Sequence, residues 1–248
     1  MKFTKNPKNY YKQMKKSVKE GEVLVVPMDN RLMEDIKPYK SKGKNLPSWF
    51  KLSPKSGIRK CAGIADYLET GFILPAWTDF SFTPLDNGTW DVRVGDLPFA
   101  VMPFGNEGFS KTSVGKCPMT DIRKMEEGQF PKLVNPYLFI THPGWSLMVT
   151  GILHEPNKNY DIVPGVVHTD YYHQLNIVFN LKGNEPFAIR YGEPLAHLVP
   201  LKRSGDIQGI KFADESDFKY AFHRGIGNGP SKFRTNESIR FYRKFRDN

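Results

Sequence analysis

The chain is predicted to fold as a mainly antiparallel β protein with a few short helices and two basic ends. Three observations carry that expectation. From Gly71 onward, short apolar runs alternate with Gly, Pro, Asn and Asp, which is the texture of a sandwich or barrel-like sheet rather than of βαβ units. Phe80–Thr83 and Thr89–Val94 flank Asp86-Asn87-Gly88, a turn rich in residues that accept positive φ and therefore a hairpin signal. Third, the formal charge of +10 on 248 residues sits at the ends. Residues 1–20 hold seven lysines and one glutamate, residues 224–248 hold seven Lys/Arg and two acids, and residues 21–223 balance to −1.

A hydrophobic fraction of 39% with 13% aromatics supplies a core and excludes wholesale disorder. No run reaches the ~18 apolar residues of a membrane helix, so no membrane contact is expected. The first residues are lysine-rich with no apolar stretch, unlike a secretory signal peptide, and the expected location is the host cytoplasm or a virion. Two cysteines, Cys61 and Cys117, exclude a disulfide framework and a Cys-based zinc module.

Along the chain, Tyr10, Tyr11, Met14 and Val18 fall near helical spacing, so Lys2–Lys19 reads as one basic helix. Glu22–Val26 reads as a strand stopped by Pro27. Pro38, Gly43, Pro47, Pro54 and Gly57 make residues 37–60 an irregular excursion. Ala62–Leu68 is a short helix ended by Gly71. Strands are expected at Phe72–Trp77, at the two arms of the hairpin, and at Tyr137–Thr141, Ser146–Thr150, Leu175–Leu181, Phe187–Arg190 and Leu195–Leu201. These elements divide the chain into a basic N-terminal arm (1–20), an irregular excursion with a short helix (21–70), a β domain (71–203) and a basic C-terminal extension (204–248).

Several catalytic motifs are excluded by spacing. Gly115-Lys116 lacks the upstream glycine of a phosphate loop, because position 110 is Ser, and Cys117 replaces the Ser/Thr that would hold magnesium. GxSxG and HExxH do not occur. His168 and His173 are five apart and would face opposite sides of a regular strand, so a shared metal needs a turn between them. No metal site is expected.

The informative stretch runs from Pro164 to Pro200. Leu175, Ile177, Phe179 and Leu181 form one apolar face, with Asn176, Val178 and Asn180 on the other. Gly183-Asn184 and Tyr191-Gly192 supply turns. This stretch resembles the region of trimeric dUTPases and dCTP deaminases in which a Gly-(Val/Ile)-(Val/Ile)-Asp-x-Asp-Tyr segment precedes a hydrophobic strand and a Gly-Asp-x-(Ile/Leu)-Ala-Gln strand. Gly165, Val166, Val167, Asp170 and Tyr171 match the first part, and Gly192, Leu195, Ala196, Leu198 and Val199 the last. The resemblance covers about 40 residues. It implies a β-clip-like distorted antiparallel barrel that often trimerises.

Residues 58–203 also look similar to an uncharacterised family of tailed phages and some bacteria, through Lys60-Cys61, Asp66-Tyr67-Leu68, Gly71–Asp79, Pro143-Gly144-Trp145-Ser146 and Pro164–Asp170. That family brings no biochemical role.

Departures from the enzymes are as informative as the matches. In those enzymes the first Asp of the motif orients the attacking water, and the Tyr packs beneath the deoxyribose. Tyr171 keeps the second role's residue type, but His168 stands at the Asp position. The phosphate-contacting Pro-Arg-Ser-Gly has only His142-Pro-Gly-Trp-Ser146 as counterpart, and Arg224-Gly-Ile-Gly227 does not continue as the Gly-rich closing tail.

The leading functional expectation is therefore a non-catalytic phage-type β-clip protein, a virion or assembly-associated structural component with no cofactor. Its partners would be other subunits, including copies of itself in a homo-oligomer such as a trimer. Lys2, Lys5, Lys8, Lys12, Lys15, Lys16, Arg240, Arg243, Lys244 and Arg246 would contact an acidic partner or nucleic acid. The alternative is a nucleotide-binding or nucleotide-hydrolysing enzyme with His168, Asp170, Tyr171 and His173 as its site and magnesium with a nucleotide as its cofactor. A third reading is a nucleic-acid binder whose terminal Lys/Arg meet phosphates while Tyr10, Tyr11, Phe241 and Tyr242 stack on bases.

Overall fold

Period-two burial builds the architecture. In the computed structural model the strand Gln174–Leu181 buries Leu175, Ile177 and Phe179 while Asn176, Val178 and Asn180 stay partly exposed. The strand Phe80–Pro84 buries Phe80 and Phe82 and exposes Ser81 and Thr83. The structure describes residues 7–27, 36–54, 58–86, 90–95, 114–116, 120–121, 126–127, 130–153 and 159–203. These divide between two compact units, Met1–Ser41 with Gly71–Arg203, and Lys42–Thr70 with Ser204–Asn248.

Among the described residues of the first unit every strand pair is antiparallel, as the sequence predicts for a mainly β chain. One sheet runs β1 (Val23–Pro27), β9 (Pro131–Thr141), β13 (Gln174–Leu181), β11 (Tyr160–Ile162), with β6 (Val114–Lys116) also on β9. A second runs β12 (Gly165–Val167), β10 (Trp145–Thr150), β15 (Pro194–Lys202), β3 (Phe72–Pro75), β2 (Tyr39–Lys40). A third runs β14 (Phe187–Ile189), β4 (Phe80–Pro84), β5 (Trp90–Val94), and β7 (Thr120–Asp121) pairs with β8 (Glu126–Glu127). Among the described strands the sheets stay open and no barrel closes.

The three larger sheets share one core. Leu133, Tyr137, Phe139 and Phe179 come from the first, Leu74, Leu147 and Leu198 from the second, and Phe80, Phe82 and Ile189 from the third. Phe82 stacks on Phe187 at 4.5 Å between centroids and meets Phe179 at 5.3 Å. Trp77 packs edge-on against Phe80 at 5.2 Å. Burying each such side chain contributes about 1.5–3 kcal/mol.

β9 begins six residues earlier than the Tyr137 start that the sequence suggests. The Asn135-Pro136 pair reads as a strand break because proline cannot donate to a ladder. It is tolerated because the β9–β13 register slips there, between the pairs Asn176–Val134 and Gln174–Leu138. Asn135 repairs the slip: its Nδ2 donates to the Leu175 carbonyl and its Oδ1 accepts from the Tyr137 N–H at 2.8 Å.

Within the segment read as one basic helix over Lys2–Lys19, the structure describes a helix, α1 (Pro7–Ser17). Proline suits the first helical turn, and Lys15 and Lys16 in the last turn complement the helix dipole. It is held to its unit by Val18, which is buried just beyond the helix end, and by an ion pair of 2.5 Å between Glu20 and Lys202.

In the second unit, α2 (Ser48–Leu52) and α3 (Ala62–Glu69) are accompanied by 3₁₀ turns at Gly43–Asn45 and Ile58–Lys60. Phe50 and Leu68 are buried and Cys61 is exposed. Thr70 Oγ1 donates to the Asp66 carbonyl at 2.6 Å and closes the end of α3.

Candidate functional site

The residues singled out at 168–173 do not continue β12. They form a turn in which the Tyr171 and Tyr172 N–H groups both donate to the His168 carbonyl at 2.9 Å, and Thr169 N–H donates to Val167 O at 2.9 Å. The turn is pinned to β9: Phe139 N–H donates to His173 O at 2.8 Å, and the buried hydroxyls of Thr141 and Thr169 meet at 2.8 Å. Residues 168–173 therefore do not lie along a regular strand, on which His168 and His173 would face opposite sides. A turn, not the rise of a strand, sets their relation.

Beside this turn lies the β9–β10 hairpin, closed by Trp145 N–H donating to His142 O at 3.1 Å. Gly144 takes φ +83° there, a conformation that glycine adopts without strain. This aims the Gly144 N–H at Asp170 Oδ2, 2.9 Å away, while its carbonyl accepts from Arg203 N–H at 2.7 Å.

Arg203, at the end of β15, joins the pieces. Its Nη1 donates to Asp170 Oδ1 at 3.0 Å and its Nη2 to Oδ2 at 2.5 Å. Asp170 is 1% exposed and the Arg203 side chain 29%. Burial pushes the Asp170 carboxyl up, but the Arg203 hydrogen bonds, the Gly144 N–H and the guanidinium charge together outweigh it and hold it below the ordinary carboxylate range. The same pair raises Arg203 further above its ordinary value.

Nη1 also lies 2.7 Å from Ser146 Oγ, 2.9 Å from His168 Nδ1 and 3.0 Å from Trp145 O. Ser146 Oγ is 2.9 Å from the same His168 Nδ1. A guanidinium only donates, so in an Arg203–His168 hydrogen bond Nδ1 is the acceptor. Ser146 and His168 do not form a nucleophilic dyad of the Ser-His-Asp kind. Ser146 is fully buried, and Asp170 faces Arg203 instead of orienting the imidazole.

His173 is also engaged: Nδ1 lies 2.7 Å from Thr169 O, and Nε2 meets the Tyr11 hydroxyl of α1. Tyr171 points outward, 76% exposed, with Tyr172 at 55%. Lys15 Nζ lies 5.2 Å from the Tyr171 ring centre and Arg203 Cζ 5.8 Å. So the structure gathers His168, Asp170, Tyr171 and His173 on one turn, with protein partners on the Asp170 carboxylate, on His168 Nδ1 and on both His173 ring nitrogens.

Of the lysines expected to bind partners, Lys12, Lys15 and Lys16 line a pocket of about 420 Å³ with Tyr11, Val18, His142 and Pro143. Lys2, Lys5, Arg240, Arg243, Lys244, Arg246 and the Lys8 side chain lie outside the described residues. Arg203 is the residue that sequence reasoning missed. Its only signal was a cation directly after a strand, and nothing local links it to a turn 33 positions earlier.

Among the described residues no three of His, Cys, Asp and Glu converge as a metal site requires, and no helix is long and apolar enough to cross a membrane.

No protein-family model matches the chain, and no curated protein matches it. Solved structures similar to it include the EIAV dUTPase, 13% identical over 59% of this chain and 84% of that one, with a TM-score of 0.33. A variant of the dUTPase of phage 80alpha is 10% identical over 79% of this chain and 97% of that one, with a TM-score of 0.40. A further variant of the Staphylococcus bacteriophage 80alpha dUTPase, with dUpNHpp, is 9% identical over 79% and 93%, at 0.39. At these scores the likeness carries nothing about chemistry or assembly.

Proposed function

We propose that the protein is a non-catalytic, phage-type β-clip protein that works by assembly, contacting copies of itself and an acidic partner through its basic segments. The observation that supports this reading is the state of Asp170. It is buried, and both carboxylate oxygens are taken up by Arg203, with Oδ2 also accepting from Gly144. A general base must reach the proton it abstracts, directly or through one water, and Asp170 has no open oxygen to do so. His168, at the position of the water-orienting carboxylate in the resembling enzymes, has its Nδ1 occupied by Ser146 and Arg203. What remains is a rigid turn that presents tyrosines, beside a helix that presents lysines.

The test is pyrophosphate release from dUTP and dCTP with magnesium, measured for wild type, His168→Ala and His168→Asp, with the oligomeric state of wild type determined by analytical ultracentrifugation. No wild-type turnover and a self-associated species are expected. Enzyme-like turnover abolished by His168→Ala would overturn the reading and establish a histidine-dependent enzyme. One observation favours the nucleotide alternative: Tyr171 is open to solvent between two cations, a geometry that suits a ligand carrying both a ring and a negative charge.

A further inference from the structure

We infer that the face built by α1 and the 168–173 turn is a docking surface for single-stranded nucleic acid. The inference deepens the assembly reading by naming the acidic partner, and it rests on that reading only for the role of the lysines.

α1 carries four lysines and no acid over Pro7–Ser17. Lys12, Lys15 and Lys16 stand three and four residues apart, hence on one side of the helix, and they line one pocket with Tyr11. That concentration of positive charge suits phosphates spaced along a strand. Lys15 links the pocket to a second feature, since its ammonium also lies against the exposed Tyr171 ring. Tyr171 and its neighbour Tyr172 leave most of their rings in water, although each is held on a turn fixed by two backbone bonds to one carbonyl.

An acidic protein surface would be satisfied by the lysines alone. Adjacent exposed tyrosines beside them add planar platforms, and a platform with a cation alongside is the recurrent design for binding unpaired bases without reading their sequence. A duplex hides its base faces and would use the lysines but not the rings. Tyr11 is not one of these platforms, because its hydroxyl is engaged with His173. The stacking residues are thus Tyr171 and Tyr172 rather than the terminal aromatics that sequence alone suggests.

The experiment is fluorescence anisotropy of the full chain with a labelled oligo(dT), a duplex of equal length and polyglutamate, each over a salt series. Wild type is expected to favour oligo(dT) over both. Tyr171→Ala with Tyr172→Ala should weaken oligo(dT) binding at least about thirtyfold, the scale of two lost base stacks, and leave the salt slope unchanged. Tyr171→Phe with Tyr172→Phe should restore it. Lys12→Gln, Lys15→Gln and Lys16→Gln together should flatten the log–log salt slope by about 2, at roughly 0.7 per phosphate contact on a single strand.

Equal affinity for oligo(dT) and polyglutamate, with the tyrosine pair inert, would overturn the nucleic-acid assignment and leave an acidic protein as partner. Loss in neither variant would overturn the whole surface. Because these tyrosines are exposed, melting curves of both pairs should match wild type. Turnover of dUTP is read separately, so its appearance would sink the assembly reading without touching this one.

Discussion

Arg203 and Asp170 meet in a two-point ion pair, 3.0 Å from Nη1 to Oδ1 and 2.5 Å from Nη2 to Oδ2, although 33 positions separate them. Arg203 leaves the end of β15 in the second sheet, and Asp170 sits on a turn that is also hydrogen-bonded to β9 in the first. The pair therefore fixes the turn between two sheets. It determines how Tyr171 and Tyr172 are displayed and engages both oxygens of the Asp170 carboxylate. A carboxylate held this way belongs to the architecture of the surface.

Removing one partner tests that role. Asp170→Ala leaves a partly buried guanidinium without its counter-charge, and breaking a buried pair costs about 3–5 kcal/mol. Because the Arg203 side chain keeps 29% exposure, the loss should fall at the low end, about 3 kcal/mol. Arg203→Lys keeps the charge but not the planar fork and should lose less. Urea unfolding midpoints read both. A shift for Asp170→Ala within the ±0.5 kcal/mol or so of ordinary surface changes would show that the pair is not what holds the turn.

Acid stability should report the same carboxylate. Asp170 titrates below its ordinary value of 3.8, so at low pH the unfolded chain takes up the proton before the folded one does. The stability contributed by Asp170 is complete above that ordinary value and disappears as pH falls through the lower folded one. Wild type should therefore lose stability on acidification below pH ~4, and Asp170→Asn should flatten that limb. Glu20, held low by the Lys202 hydrogen bond and charge, is the control. It lies at the surface, so Glu20→Gln should leave the curve almost unchanged. Equal acid limbs in wild type and Asp170→Asn would mean that the carboxyl gains nothing from Arg203.

What the sequence made legible follows from what is local. The β4–β5 hairpin, the inward face of β13 and the helix before Gly71 are written in alternation and turn residues, and each is found where those patterns place it. The Asn135-Pro136 segment was not legible. Only the Asn135 side chain, reaching the Leu175 carbonyl across the strands, makes a proline tolerable there. β11 was missed because Tyr160–Ile162 is too short to show a period. At the site, the turn residues stood out as a motif, but their engagement did not. Whether Asp170 is a base or half of an ion pair depends on a distant arginine, and no spacing rule encodes that contact.

Gly71 provides a steric prediction. Its φ is +78°, and a Cβ added there would lie 2.1 Å from the Leu198 carbonyl oxygen, which is backbone of β15 and cannot swing aside. Leu198 pairs with Phe72 at the start of β3, so Gly71→Ala must part β3 from β15 where they meet. Left-handed strain of about 1 kcal/mol adds to that disruption, and the total should exceed about 3 kcal/mol, a value expected only from core or backbone disruption. Gly21, with φ +81° and nothing within 4 Å of its added Cβ, isolates the strain alone. Gly21→Ala should lose only about 1 kcal/mol. Similar losses at both sites in thermal melts would contradict the steric argument.

Tyr137 carries the last prediction. Its ring is fully buried in the shared core, and its hydroxyl donates to the Ile36 carbonyl at 2.5 Å. That bond ties the buried Ile36 to β9. Tyr137→Phe keeps the ring and its packing but strands a buried carbonyl, which costs about 1–3 kcal/mol. The phenol adds a pH signature. Burial first, and the nearby Tyr191 second, raise it well above its ordinary value of 10.0. The unfolded chain therefore releases this proton first, so the stability due to Tyr137 is complete below pH 10 and falls as pH rises beyond it. Tyr137→Phe should start less stable at neutral pH and lose less between neutral and strongly alkaline solution. A neutral-pH loss with an unchanged alkaline limb would mean that the hydroxyl is hydrated in the folded protein, and the Ile36 contact would then not be the closed, dry bond that the core geometry describes.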